Sequence, residues 1–469
     1  MIETLTSDVV VIGAGASGLT AATDLRAAGL TVTVLEARDR VGGRLRTETV
    51  DGAMLELGGQ WVSPDQTALI ETLGELGLET YSRWRDGESV YVSPDGTASR
   101  FTGDIFPASD ETKSEIERLI AVMDELVAEV DVTAPWAHPR AREYDHVSFA
   151  AWLEQQTDDV EARDNIALFI ADAMLTKPAH AFSLLQALQM ASSAGSFSNL
   201  VDADFILDKR VVGGLQRVPL ALAAGLGDAV HLGQPVETLE WSDAGVVATT
   251  SDLRVEARHA VVAVPPNLYS RIDYVPALPA RRLHWHQHVS LGLVIKVHAV
   301  YETPFWRDAG LSGTAFSPYQ VVHEAYDNSN HDDPRGTLVG FVSDEKADRL
   351  LALPTDERQR VILESLASYY GDQALQPAVY FESDWVSEEW TGGAYATSFD
   401  LGGLSRWGHD QRVPVGPIRF SSSDIAAEGF QHVDGAIRVG HEVAAEIVAD
   451  LADDAAPVEP AGQAVGDRP

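Results

Sequence analysis

The 469-residue chain contains no cysteine. Disulfides, thiolate metal centres, cysteine nucleophiles and a thioether to a cofactor are therefore all excluded. Positive charge is scarce as well, with 34 basic residues, only five of them lysines, against 71 acidic ones and a net charge of −37. A polyanion of this kind is a poor partner for nucleic acid or an anionic membrane. Either the acids form a solvated surface suited to solubility or high salt, or they make a field that draws in cations, and both can hold together. No uninterrupted apolar run reaches membrane-spanning length, and a first strand near residue 8 leaves no room for a signal peptide. The expectation is a cytoplasmic protein. With 45% hydrophobic residues a large core is affordable, and the length exceeds what one core usually holds. Two intertwined domains follow.

The most specific text is near the start. Asp8-Val9-Val10-Val11-Ile12 reads as a strand running into Gly13-Ala14-Gly15-Ala16-Ser17-Gly18, and Val32-Thr33-Val34-Leu35 reads as a second strand closed by Glu36. Gly13 permits the tight turn, Gly15 lets backbone N–H groups approach a pyrophosphate, and Gly18 allows close helix–strand packing. The helix that follows offers the positive end of its dipole to the diphosphate. Glu36 at a strand end suits both hydroxyls of an adenosine ribose and would repel a 2′-phosphate, which disfavours NADP. Ser17, Ala37 and Arg38 complete the expected contacts of this dinucleotide site.

What comes next separates FAD from NAD. Arg40-Val41-Gly42-Gly43-Arg44 follows the second strand, and Leu55-Glu56-Leu57-Gly58-Gly59-Gln60-Trp61 comes soon after. The first element resembles the RxGGR of glutathione-reductase-type flavoproteins, in their amine oxidase and amino acid oxidase branch. Gly43, Arg44, Gly59, Gln60 and Trp61 are then a second approach to the same long cofactor. A plain glycine turn between strands is the competing reading.

Beyond this the chain reads as discontinuous rather than bead-like. Helical periodicity occupies Glu111 to Val130, with more helical text from about Phe149 to Ser193, and an amphipathic helix spans about Thr355 to Tyr370. Alternation predicts strands at Leu291 to Tyr301 and Thr337 to Val342. A last helix covers Gly435 to Leu451. The fold class is α/β: a Rossmann-like FAD-binding domain from 1–80, 201–288 and 398–452, intertwined with a mixed-sheet-plus-helices substrate domain from 81–200 and 289–397. Residues 453–469, rich in Asp, Pro, Ala and Gly, read as a disordered tail. No internal repeat is present.

Longer runs extend the resemblance over nearly the whole chain. Gly59 to Thr67, Ala194 to Leu200, Pro265-Pro266-Asn267-Leu268-Tyr269, Leu291 to Lys296 and Gly392-Gly393-Ala394-Tyr395 are similar to the flavin monoamine oxidase family, in its bacterial diamine-oxidising branch. The resemblance implies oxidative deamination of a short aliphatic diamine to an aldehyde, with ammonia released and O2 reduced to hydrogen peroxide. It implies FAD and no metal, and it is compatible with a homodimer. Ala394 stands where covalent members carry a cysteine, so the FAD is expected to be non-covalent. Val236 corresponds to the residue whose backbone meets adenine, and Asp424 and Val433 to a segment along the ribityl chain and flavin ring.

Four further residues take roles by the same resemblance. Tyr395 and His432 correspond to a pair of rings flanking the substrate nitrogen, with a histidine where many members have a second tyrosine. Lys296 corresponds to a lysine that holds a water against the flavin and assists its reoxidation, although a lysine in an apolar strand can equally sit at a solvent-facing edge. Glu324 corresponds to a carboxylate that receives the distal ammonium of a diamine, against the alternative of one more surface acid. The chemistry agrees: the reacting amine must be neutral, an alkylammonium has a pKa near ~10.4, and an apolar site penalises the charged form. A polyamine oxidase acting on secondary amines is the nearest rival. An L-amino acid oxidase would need an arginine for the substrate carboxylate, which Glu324 opposes. A binding protein of the Rab GDP-dissociation-inhibitor type would share the fold without the redox chemistry.

Overall fold

Val9, Val10 and Val11 are completely buried, as expected of a strand covered on both faces. In the computed structural model, which describes residues 2–455, they belong to the Glu3–Ile12 strand at the middle of an eight-stranded sheet. This strand pairs in parallel with Val32–Leu35 on one side and Leu253–Val262 on the other. It begins earlier than the valine run suggests, because Leu253 to Ala257 supply ladder partners for Glu3 to Ser7. Val230–His231 and Ile418–Phe420 add further parallel pairs, and the Thr238–Ser242 and Gly245–Thr249 hairpin extends the other edge. The Ala16–Ala27 helix leaves the first strand at the glycine turn, and the Val433–Ala455 helix packs beside it. That last helix enters the stretch expected to be a disordered tail, whose remainder, 456–469, lies outside the described residues.

The second large sheet has seven strands in the order Val379–Asp384, Val294–Tyr301, Gly336–Ser343, Glu324–Asp327, Leu311–Phe316, Glu88–Val92 and Ala98–Phe101. Its two faces follow from the two-residue period of a strand. Ile295, Val297 and Ala299 pack with Ala325, Val342, Ile362 and Leu366, so one face is covered by the Thr355–Tyr370 helix, whose expected limits are those observed. Of the alternate residues, Val294, Tyr326, Val339 and Phe341 join the core that also holds Val9 to Ile12, and Val300 packs with Ala53, Leu55 and Leu57.

Two expectations needed adjustment. The predicted Leu291 to Tyr301 strand is split into Val289–Leu291 and Val294–Tyr301 at Gly292, where a Cβ would lie 1.9 Å from Thr176 Oγ1. The helical text of 149–193 becomes Phe149–Gln156, Val160–Ala167 and Leu184–Ser193, with a π-helix at Leu168–Leu175 and a break after it. Among the described residues no helix is long and apolar enough to cross a membrane, and no cluster of three or more His, Asp or Glu side chains could hold a metal ion.

Candidate active site

A continuous groove runs from the first glycine turn to the inner face of the seven-stranded sheet, and it encloses about 2240 Å³ of space free of protein atoms, its mouth included. Of the residues singled out in the sequence, Gly13, Gly15, Ser17, Glu36, Ala37, Arg38, Gly43, Arg44, Gly59, Gln60, Trp61, Val236, Lys296, Glu324, Tyr395, His432 and Val433 line it. Gly18 and Asp424 do not.

The three glycines at the nucleotide end divide their tasks. Gly13 has φ +108°, and a Cβ there would sit 2.7 Å from the Ala263 carbonyl oxygen; a Cβ on Gly18 would lie 2.1 Å from the Gly13 carbonyl oxygen. Both are fixed by packing. A Cβ on Gly15 would meet nothing within 4 Å, so the protein leaves its outer side open to a ligand. Glu36 accepts hydrogen bonds from the Ala14 and Arg38 amides at 2.7 and 3.0 Å, which fixes the carboxylate and leaves further lone pairs for a ribose. Asp424 acts one step back. Burial opposes its ionisation, but Arg44, Ser422 and the Thr397 amide hold its pKa below the ordinary carboxylate value. It thereby anchors Arg44, which also donates to the Tyr395 carbonyl oxygen at 2.5 Å.

These features fit FAD. Gln60 Nε2, Trp61 Nε1 and Gln431 Oε1 are buried on the groove wall without a hydrogen-bond partner among the described residues, which suits atoms that bond a ligand. With no cysteine in the chain and Ala394 on the wall, the cysteinyl linkage has no residue to form it.

At the other end, the sheet ladder sets the spacing. Lys296 pairs with Phe341, Phe341 with Glu324, and Glu324 with Phe316. These four residues thus form one cross-strand row on one face, with Lys296 and Glu324 two strands apart, about 10 Å from backbone to backbone. A cation and an anion stand on either side of a phenyl ring.

Lys296 is 4% exposed in a strand paired on both sides, which rules out the solvent-facing edge position. Its Nζ lies 2.7 Å from each of the Glu56 and Gly58 carbonyl oxygens and Gln60 Oε1. Burial lowers its pKa to about 7, with the nearby Glu56 opposing and Arg210 adding to the fall. Three acceptors around one nitrogen, however, are satisfied together only by the ammonium. Every hydrogen of that ammonium is used by the protein, so a water held by Lys296 itself would have to displace one of these contacts.

Glu324 is 5% exposed. Its Oε2 accepts a hydrogen bond from the Tyr326 hydroxyl at 2.8 Å, and Oε1 lies 3.6 Å from His323 Nε2. Tyr395 meets Phe341 edge to face at 6.2 Å. Burial, then the proximity of Glu324, raises the Tyr395 pKa well above 10 and keeps the phenol protonated. His432 donates a hydrogen bond from Nδ1 to the Phe430 carbonyl oxygen at 2.9 Å. Burial lowers its pKa despite that carbonyl, Asp65 and Asp434, so the ring is neutral at neutral pH.

Phe341, Tyr326, Phe316, Trp385 and Met174 also line the groove but escaped the sequence reading. Aromatic and large apolar residues in strands and helices are most often core; Phe341, Phe316 and Tyr326 are distinguished only by their register with Lys296 and Glu324, and nothing local marks Trp385 or Met174. The arginines on the wall, Arg38, Arg44 and Arg271, each face a carboxylate, of Glu388, Asp424 and Glu389 respectively.

Comparison with known proteins bears on the whole chain. Residues 16–448 match the family described as flavin containing amine oxidoreductase. A putrescine oxidase from Kocuria rosea is 62% identical over 453 residues, covering 94% of this chain and 95% of its own. Among solved structures, a putrescine oxidase bound to putrescine superposes with a TM-score of 0.95 at 64% identity, covering 95% of this chain and 100% of that one. Cyclohexylamine oxidase from Brevibacterium oxydans gives a TM-score of 0.91 at 31% identity, over 95% and 99% of the two chains. The chain therefore belongs to the flavin-containing amine oxidoreductases and is a flavin-dependent amine oxidase.

Proposed function

We propose that the protein oxidises short α,ω-diamines, putrescine foremost, to the amino-aldehyde with release of ammonia and hydrogen peroxide. The observation that carries this reading is Glu324, a buried carboxylate facing the cavity in the same sheet row as Lys296. FAD, which the glycine turn and Glu36 would hold at one end and Gly43 and Arg44 further along, would supply a hydride acceptor for the carbon next to the reacting nitrogen and a route for the two electrons to O2. The imine left behind takes up water to give the amino-aldehyde and ammonia. Glu324 pairs with the distal ammonium, and the pairing fixes how far the other nitrogen reaches. Tyr395 and His432 flank that nitrogen, and with Phe341 they exclude water and disfavour its charged form. Lys296 holds positive charge where O2 reduction builds up negative charge. Among the described residues each wall arginine already faces a carboxylate, which supports an amine substrate over an amino acid. The division into a cofactor unit (1–80, 201–288 and 398–452) and a substrate unit (81–200 and 289–397) belongs to the same proposal, supported by the two large sheets.

The test is peroxide release across putrescine, cadaverine, spermidine, benzylamine and butylamine, in the parent protein and Glu324→Gln. Removing one partner of a buried ion pair costs about 3–5 kcal/mol. The ratio of kcat/KM for putrescine to that for butylamine should accordingly fall about a hundredfold or more in the variant. Equal losses on the two amines would overturn the assignment.

A further inference from the structure

Resting on the reading of Glu324 as the receiver of the distal ammonium, we infer that Tyr326 is a specificity-determining positioning residue, which fixes the Glu324 carboxylate and thereby the length of diamine the site accepts. Tyr326 lies two residues beyond Glu324 on the same strand and so on the same face. Its hydroxyl donates to Oε2 at 2.8 Å. Burial and the neighbouring carboxylate raise its pKa well above 10, so that hydrogen is present throughout the working pH range.

A donor can fix a carboxylate only if it is itself fixed. The Tyr326 ring is held on three sides: Trp61 meets it edge to face at 5.4 Å, Phe316 does so at 5.7 Å, and the Arg83 guanidinium lies over it at 5.3 Å. Arg83 is in turn hydrogen-bonded to the Leu207 carbonyl oxygen and Thr314 Oγ1 at 3.2 and 3.0 Å. The second carboxylate oxygen has a neighbour of its own. His323 is fully buried, neither ring nitrogen has a hydrogen-bond partner among the described residues, and Nε2 stands 3.6 Å from Oε1. Both oxygens are therefore faced by protein groups, while Glu324 itself lines the cavity.

The consequence is geometric. A carboxylate free to rotate could follow the ammonium of a longer or shorter chain, whereas one tied at Oε2 presents its charge at a single distance along the Lys296–Phe341–Glu324 row. Tyr326 thus acts on selectivity between chain lengths, while Glu324 decides between diamine and monoamine.

Tyr326→Phe keeps the ring and removes only the donor. Peroxide release by the FAD-loaded protein should show the putrescine-to-cadaverine ratio of kcat/KM moving toward unity by roughly tenfold, the scale of one hydrogen bond to a charged group, mainly through KM. In a Glu324→Gln background the same substitution should leave that ratio unchanged within about twofold. Flavin absorbance and the thermal midpoint check that Tyr326→Phe is folded and loaded; should it fail to load, His323→Gln serves as the second probe and should shift the same ratio in the same direction. Unaltered chain-length selectivity in a loaded Tyr326→Phe protein would overturn the inference even where Glu324→Gln behaves as proposed, whereas a Glu324→Gln variant with normal diamine preference would remove the reading beneath it.

Discussion

Lys296 is pulled two ways. Burial lowers its pKa to about 7, while three acceptors at 2.7 Å are arranged for an ammonium. The folded protein therefore releases this proton far more readily than an unfolded chain would, and the cation is complete only on the acid side of about pH 7. If that charge assists O2 reduction, the rate constant for reoxidation measured by stopped flow should decline as pH rises through about 7. In Lys296→Met the constant should fall on the order of a hundredfold, as when one preorganised group is removed from a developing charge, and its pH dependence in this range should vanish. A variant that reoxidises at the parent rate would deny Lys296 that role. The same proton has a stability consequence: between about 7 and the ordinary lysine value of 10.5 the unfolded state binds it and the folded state does not, so this residue makes the protein more stable as pH rises across that window.

At the scale of elements, the glycine turn separates folding from binding. Gly15→Ala adds a methyl where the protein has nothing within 4 Å, whereas Gly18→Ala drives one to 2.1 Å from the Gly13 carbonyl oxygen. Gly15→Ala should fold with the melting behaviour of the parent apoprotein but retain less flavin, read as absorbance per protein after gel filtration. Gly18→Ala should lower the thermal midpoint of the apoprotein itself. Equal melting shifts in both would show that the turn is merely structural. The covered face of the seven-stranded sheet offers a complementary case. Ile362 is fully buried against the side opposite Lys296 and Glu324, so Ile362→Ala should cost about 2–5 kcal/mol of stability and leave the putrescine-to-butylamine ratio within about twofold.

These elements were unequally legible beforehand. The dinucleotide turn could be read because its parts are local: Gly13 to Gly18 and Glu36 sit on two strands and one helix contiguous in sequence. The Thr355–Tyr370 helix was legible from its own periodicity. Lys296, Phe341 and Glu324 were not legible as a row, since only the register of three strands far apart in the chain brings them together. Resemblance alone marks Lys296 and Glu324, and nothing in the sequence around Phe341 marks it. The resemblance sets Asp424 along the cofactor, but its oxygens are taken by the neighbouring Ser422 and by Arg44 and Thr397, two partners distant in the chain that no local pattern announces.

For the whole molecule, the balance of 71 acids against 34 basic residues sets a test of whether the surface draws in a cation or serves solubility alone. At 0.1 M salt the screening length is about 10 Å, so only charges near the groove mouth act on the substrate, whereas in dilute buffer much of the surface contributes. The attraction scales with the charge of the ligand, and a diammonium feels twice what an alkylammonium feels. Raising ionic strength from about 0.01 to 0.3 M should therefore lower kcat/KM for putrescine by roughly tenfold, within the range of steered association, and that for butylamine by about the square root of this factor. KM should carry the change, because kcat is set after binding. Identical salt responses for the two amines would assign the acid excess to solubility alone and leave diamine selection entirely to the buried Glu324.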